Sequence, residues 1–458
     1  MIISDAYGCD VTANSHDTVA LWNAALADYL DFSGTPVQHV QEIADTSFVL
    51  GPVFCAAMKL LSGHDPNGAS VRRNVAAMRA ASPTATPAEQ RHAHAIEHML
   101  VGEFSQAALV WDTILSDNPN DMLAHKCAHE TWFLVGKTDA MLASSRRAIA
   151  ALTVDDPCFA VAAAQHGFAL EETGAYAEAE SWGRLALDMR PTDCWALHCL
   201  AHVYETQNRH RDAMDLLETR KSTWRKQNLL DAHIWWHLAL RQIEIRAYDD
   251  ALAIFDRHLQ DVDPSNRFRL TDGTSLLWRL ELAGVDVGDR WRAMADKWSQ
   301  NASLHTVAFL DLHAAMAFAR CPDSVAAETF HASLRAGLDG QISENADIFK
   351  EVVLPILDII ATLPHSPAAA DKLREVLPRL HRIGGSVVQR EIFERSYSSA
   401  LLATGRAAEL QDWLKPKMAR HPNTPWILRA AADAAAAQGN TARATLLQRR
   451  SDLMFGGM

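Results

Sequence analysis

Positive charge is scarce in this chain. Its 458 residues hold 43 Lys and Arg against 56 Asp and Glu, a formal charge of −13 at neutral pH. An acidic chain repels phosphate backbones and anionic lipid surfaces, so neither nucleic acid nor membrane is an expected partner. Long apolar runs are also missing. The most apolar stretch, EVVLPILDIIATL (351–363), carries Glu351 and Asp358 and is broken by Pro355, and it falls short of a bilayer span. The opening MIISDAYGCDVTANSHD has neither a basic start nor an apolar core, so it does not read as a signal peptide. The seven cysteines are odd in number and contain no C-x-x-C pair. That excludes a zinc ribbon and argues for reduced thiols in a cytoplasmic protein. Nucleophile elbow, phosphate loop, dinucleotide fingerprint and H-E-x-x-H are all absent.

What is present is ordinary apolar content, 48%, with 22% charged residues, enough for a large core without disulfides or metal. On length alone the chain holds roughly three domains' mass, but an internal repeat argues for one continuous array. A glycine-like position before each second helix recurs at Gly102, Gly136, Gly174, Asn208, Arg246 and Gly284, in steps of 34, 38, 34, 38 and 38. The shorter step is the tetratricopeptide period, and the longer ones add about one helical turn. In the clearest unit, 160–191, Gly167 permits close helix approach, Gly174 ends the first helix, and Pro191 stops the second. Second helices place apolar residues at helical spacing, as at Ala251, Ile254 and Phe255. No segment alternates for long with period two, so a sheet is not expected.

These patterns predict an all-α, tetratricopeptide-type superhelical α-solenoid of helix-turn-helix repeats with an N-terminal helical cap. The cap is 1–88, the clear repeats 89–265, divergent helical repeats 266–335, and C-terminal helical repeats 336–458, where Gly405 and Gly439 restore the 34-residue step. Neighbouring units must stack, because a single helical pair leaves an apolar face bare.

Five stretches are more specific than the repeat: HDPNGASVRRNV (64–75), AHVYETQNRHRDA (201–213), DAHIWWHLALRQIE (231–244), LTDGTSLLWRLELAGVDVGDRW (270–291) and FLDLHAAMAF (309–318). Through them the chain resembles the tetratricopeptide repeat protein 38 family over most of its length. The resemblance implies a tetratricopeptide solenoid and names no reaction, cofactor or partner.

Histidine is the compositional surplus, with 21 residues. Eight form four H-x-x-x-H pairs, His94/His98, His125/His129, His198/His202 and His233/His237. Such spacing puts both rings on one helix face, and each pair falls on the first helix of a unit, the helix that lines the concave side. Glu205 and Glu244 each follow a histidine by seven residues on the same stripe, and Trp235 and Trp236 stand beside His237. The expected ligand-binding set is therefore His198, His202, Glu205, His233, Trp236, His237 and Glu244, with Asp311 and His313 in support. His125, His129, His166 and Trp278 are secondary candidates.

A concave pocket lined by His, Glu and Trp suits a small molecule or short peptide. The first helices at 121–135, 195–206 and 232–244 carry only Lys126 and Arg241 as cations, too few for a clamp on acidic chain ends. The alternative is an enzyme using the same imidazoles and carboxylates for acid-base or metal-assisted hydrolysis. A passive protein-interaction scaffold is the second alternative, and any buried histidine can serve simply as a satisfied interior residue. No cofactor is expected. A transition metal on His198, His202 and His237 would need a further ligand, for which Glu205 or Glu244 is the candidate, and Glu89 with His92 resembles half of a di-iron motif. Cys199 beside His198 reads as core, and a homodimer is compatible with the sequence.

Overall fold

A computed structural model describes residues 1–224 and 230–455. It is an all-α solenoid of tetratricopeptide type, and no described helix is long and apolar enough to cross a membrane. The helical pairs follow the repeat. First helices Met122–Leu134, Phe159–Glu172, Cys194–Thr206, Asp231–Glu244 and Arg267–Leu282 alternate with second helices such as Thr138–Ala151, Tyr176–Met189 and His210–Thr219. Each first helix packs on its own second helix and on its neighbours. Asp121 and Asp193 start two of them, their carboxylates accepting from the Ala124 amide and from those of Trp195 and Ala196.

All six glycine-like turn positions take the left-handed conformation, at φ between 57° and 86°, including the non-glycines Asn208 and Arg246. Periodicity located a backbone requirement there even where the residue type did not announce it. The four extra residues of the longer steps do not simply lengthen a helix. Between Thr138–Ala151 and Phe159–Glu172 three of them widen the connection to 152–158, against 118–121 in the shorter unit, and one lengthens the first helix. After His210–Thr219 they form a separate short helix, Lys221–Trp224.

The N-terminal cap departs from expectation in one respect. It opens with an antiparallel hairpin, Ile2–Ser4 against Asp10–Thr12, in the register Ile2 with Thr12. Three-residue strands are too short to show period two in the sequence. The hairpin is held by Glu89, whose carboxylate accepts from the Thr12 amide and hydroxyl at 2.8 and 2.7 Å and also caps its own helix through the Thr86 amide.

The concave side is filled. Helix Phe159–Glu172 is buried at all fourteen positions, the mark of a helix covered on every face. Its cover comes from both ends of the chain. On one side, Phe32 stacks on Trp195 and Tyr29 donates to Glu130. On the other, residues 381–386 enter between Met122–Leu134 and Ala308–Ala319. The Gly384–Gly385 pair makes this possible: a Cβ on Gly384 would lie 2.2 Å from the Leu134 carbonyl oxygen, and one on Gly385 would lie 2.5 Å from the Phe309 ring. Helix Val387–Ala403 follows and packs against Arg267–Leu282 and Cys194–Thr206. The turns also meet at Gly63, whose carbonyl accepts from Arg267 and Thr306, and at Glu344, which accepts from Ser105.

Candidate functional site

Two neighbouring repeats build the centre of the site. Cys194–Thr206 carries His198 and His202 on one face; Asp231–Glu244 carries His233 and His237 on the facing one. Their rings form one group, with centroids 4.4 Å apart for His198–His202, 4.7 Å for His202–His237, 4.8 Å for His233–His237 and 5.0 Å for His198–His233. One ring nitrogen from each histidine lies within 4.8 Å of the others. Phe168 and Trp195 flank His198, and Trp236 stacks on His233.

Carboxylates orient two of the rings. His237 Nδ1 donates to Glu205 at 2.9 Å, and His233 Nδ1 donates to Asp272 at 2.8 Å. Glu171 stands 3.6 Å from His202 Nδ1, beyond hydrogen-bond reach. Both nitrogens of His198, both of His202 and Nε2 of His237 are buried without a hydrogen-bond partner among the described residues. A buried polar atom left unpaired costs about 1–3 kcal/mol, so this group is expensive as mere packing.

The electrostatics are those of neutral imidazoles. Burial, and then the positive charge each ring would present to the others, holds His198 and His237 well below the ordinary histidine value. Burial brings His202 down to about 4. Burial raises the neighbouring carboxyls, Glu171 to about 8 and Glu172 to about 7. Glu172 accepts from the Val387 amide at 3.0 Å and faces Arg390.

A cavity of about 550 Å³ adjoins this group. Its inner wall is the ends of the first helices, with Glu205, Arg241 and Glu244; its outer wall is the C-terminal region, with Arg395, Trp413 and Trp426. Glu205 belongs to both places, bonding His237 on one side and lining the cavity on the other. Arg241 bridges Glu205 and His210.

Other candidates lie elsewhere. Glu244 is engaged by Arg395 at 2.6 Å and by Arg429, so it anchors the C-terminal region and offers no ligand to the imidazoles. Glu205 accepts from His237 and Arg241, and the fourth group beside His198, His202 and His237 is His233. Asp311 and His313 do not join the group. Asp311 accepts from His305 at 2.5 Å and faces Arg267, and His313 bonds the Phe309 carbonyl. Trp278 donates to Ser396, and His166 sits between Ser145 and Trp182. His125 bonds Gln165, while His129 packs against Trp195 with both nitrogens unpaired. The first pair does not point inward as expected, since His94 is exposed. Glu89 serves as a cap, and His92 bonds Asp121, so no di-iron half-site forms. Cys199 lies against Gly167 and Gly183, as a core residue would.

Sequence reasoning missed Glu171, Glu172, Asp272 and the whole outer wall. Two adjacent acids in the last turn of a helix oppose the helix dipole, a signal available at Glu171–Glu172. Nothing local marks residues 377–427 as partners of residues 205–244.

No family model matches the chain. Among solved structures, the human IFIT1 dimer with PPP-AAAA aligns over 99% of this chain and 98% of its own, at 11% identity and a TM-score of 0.38. The human IFIT1 dimer with m7Gppp-AAAA covers 97% and 96%, at 11% identity and a TM-score of 0.40. A monomeric IFIT1 mutant with Gppp-AAAA covers the same shares at 12% identity and a TM-score of 0.38. At these TM-scores the likeness says nothing of the site.

Proposed function

We propose that this protein binds a small polar molecule with an anionic end in the cavity between the first-helix ends and the C-terminal region. The observation that carries this is the cavity itself, about 550 Å³, within the range of small-ligand sites. Its lining holds five Lys and Arg side chains, Arg241, Arg390, Arg395, Lys417 and Arg420, against Glu205, Glu244, Glu391 and Glu394. A local excess of positive charge in a chain of net charge −13 favours an anion over a basic peptide. Arg420 makes no ion pair among the described residues, and Trp413 and Trp426 offer flat faces. Glu205 and Glu244 belong to the walls, and the histidines lie behind them. Nucleic acid and membrane stay outside this reading, the cavity being too small for either.

In the same reading the chain is a member of the tetratricopeptide repeat protein 38 family. Its support is the five stretches quoted above, which supply His202, Glu205, His233, His237 and Asp272.

The test is native mass spectrometry of the full chain, followed by thermal-shift titration with small carboxylates and phosphates. A stabilising anion is expected, with its effect reduced at least tenfold in affinity by Arg420→Glu and by Trp413→Ala. Binding that survives both changes, or the absence of any co-purified or stabilising anion, sinks the reading.

A further inference from the structure

We propose that His198, His202, His233 and His237 hold one divalent transition-metal ion of the zinc or cobalt type, in a closed four-histidine site that joins two neighbouring repeats. The ion needs no cavity ligand to bind.

The ligand set is built two by two. Each helix offers an i, i+4 pair, so neither repeat can complete the site alone. The four nitrogens already lie within 4.8 Å of one another. A tetrahedral ion with bonds of about 2.0–2.1 Å needs ligand atoms about 3.3 Å apart, a contraction of at most about 1.5 Å.

The state of the rings fits metal binding. A metal takes the lone pair of a neutral imidazole, and His198, His202 and His237 are buried. Nδ1 of His237 is committed to Glu205 and Nδ1 of His233 to Asp272. Each bond places the proton on Nδ1 and leaves the Nε2 lone pair for the ion, the carboxylate–histidine–metal arrangement. Five nitrogens of His198, His202 and His237 have no hydrogen-bond partner among the described residues, and the ion takes one from each ring.

Charge and ligand type narrow the ion. Four neutral ligands leave a dication's charge uncompensated, and the Glu205 and Asp272 carboxylates bonded to the rings offset it. Imidazole nitrogens select borderline transition ions over calcium or magnesium, which require oxygen ligands. Cys199, the nearest thiol in sequence, points about 100° away from His198 and lies against Gly183. A second group, Glu171, Glu172 and His202, also clusters, but Glu172 is spent on Val387 and Arg390. With all four positions filled by protein, the ion is structural and leaves no open site for a substrate.

The untagged full chain, purified without chelator, is tested by elemental analysis, and after dialysis against chelator by titration with Zn2+ and Co2+. Expected are one ion per chain, a rise in thermal midpoint with Zn2+, and the intense visible absorption of four-coordinate Co2+. His202→Asn combined with His237→Asn is expected to abolish uptake. Asp272→Asn, which disturbs only the ring orientation, should weaken affinity about 10–100-fold. His94→Asn, in the pair outside the cluster, should change nothing. A wild-type chain that takes up neither ion, a six-coordinate Co2+ spectrum, or uptake unchanged in the double variant overturns the proposal. The wild-type Co2+ spectrum decides even if the variants fail to fold.

Discussion

At the residue scale this protein places ionisable groups where water cannot reach them, and its pH response follows. Burial brings His125 and His313 down to about 4, and His129 and His210 to about 3. In the unfolded chain each titrates near 6.5. Between those values the unfolded state binds more protons, so stability is fully present above 6.5 and is lost as pH falls toward the folded values. Glu244 acts in the same direction at lower pH. Burial would raise its carboxyl, but Arg395 and Arg429 outweigh that and hold it well below the usual carboxylate range. Its contribution is present above the unfolded value of 4.5 and disappears below it. Glu171 and Glu172, raised to about 8 and about 7, act in the opposite sense over the same interval, but the buried histidines outnumber them, so urea midpoints should already fall between pH 7 and pH 5. A flat profile over that interval would show these histidines to be solvated.

At the element scale the repeat is held by backbone geometry as much as by side chains. Arg246 is exposed and sits at φ 63°, a conformation glycine adopts without strain. Arg246→Gly is expected to stabilise the chain by roughly 0.5–1 kcal/mol, read from the shift of the denaturant midpoint. Gly384→Ala tests the opposite case. Its φ is 79°, and the new Cβ would overlap the Leu134 carbonyl. The substitution should cost several times more than Gly174→Ala, where φ is also left-handed but no atom lies within 4 Å. Equal losses at the two sites would mean that segment 381–386 does not sit between its two neighbouring helices. The six turn positions were legible in the sequence because the period is local. The placement of the extra four residues was not, since a longer loop and a longer helix leave the same spacing.

At the scale of the whole molecule the solenoid is covered on its inner side by its own ends. Helix Phe159–Glu172 has no polar face to show to water. A chain ending at Gly340 should expose that surface and aggregate, and light scattering against the full chain measures it. A monodisperse truncated product would show that the C-terminal region docks without being needed. The same covering explains the fate of the candidate residues. His198, His202, His233 and His237 meet because adjacent repeats put equivalent faces together, which the i, i+4 pairs foretold. Asp311 and His313 share their helical character, but Asp311 faces Arg267, which bonds Gly63, and His313 turns back to the Phe309 carbonyl. Glu244 follows the histidine stripe by spacing, yet Arg395 and Arg429 from the far end of the chain claim it.

Fold class, repeat register and the inward face of two histidine pairs were set by sequence alone. All depend on interactions within about forty residues, where helical periodicity and turn chemistry leave a direct trace. Only the tertiary structure decided that the concave side is filled, that a cavity lies between residues 205–244 and 377–427, and that Glu205 links it to the four imidazoles. Those depend on how far the superhelix curves before its ends return. Curvature is the sum of small rotations between repeats, and no single residue records it.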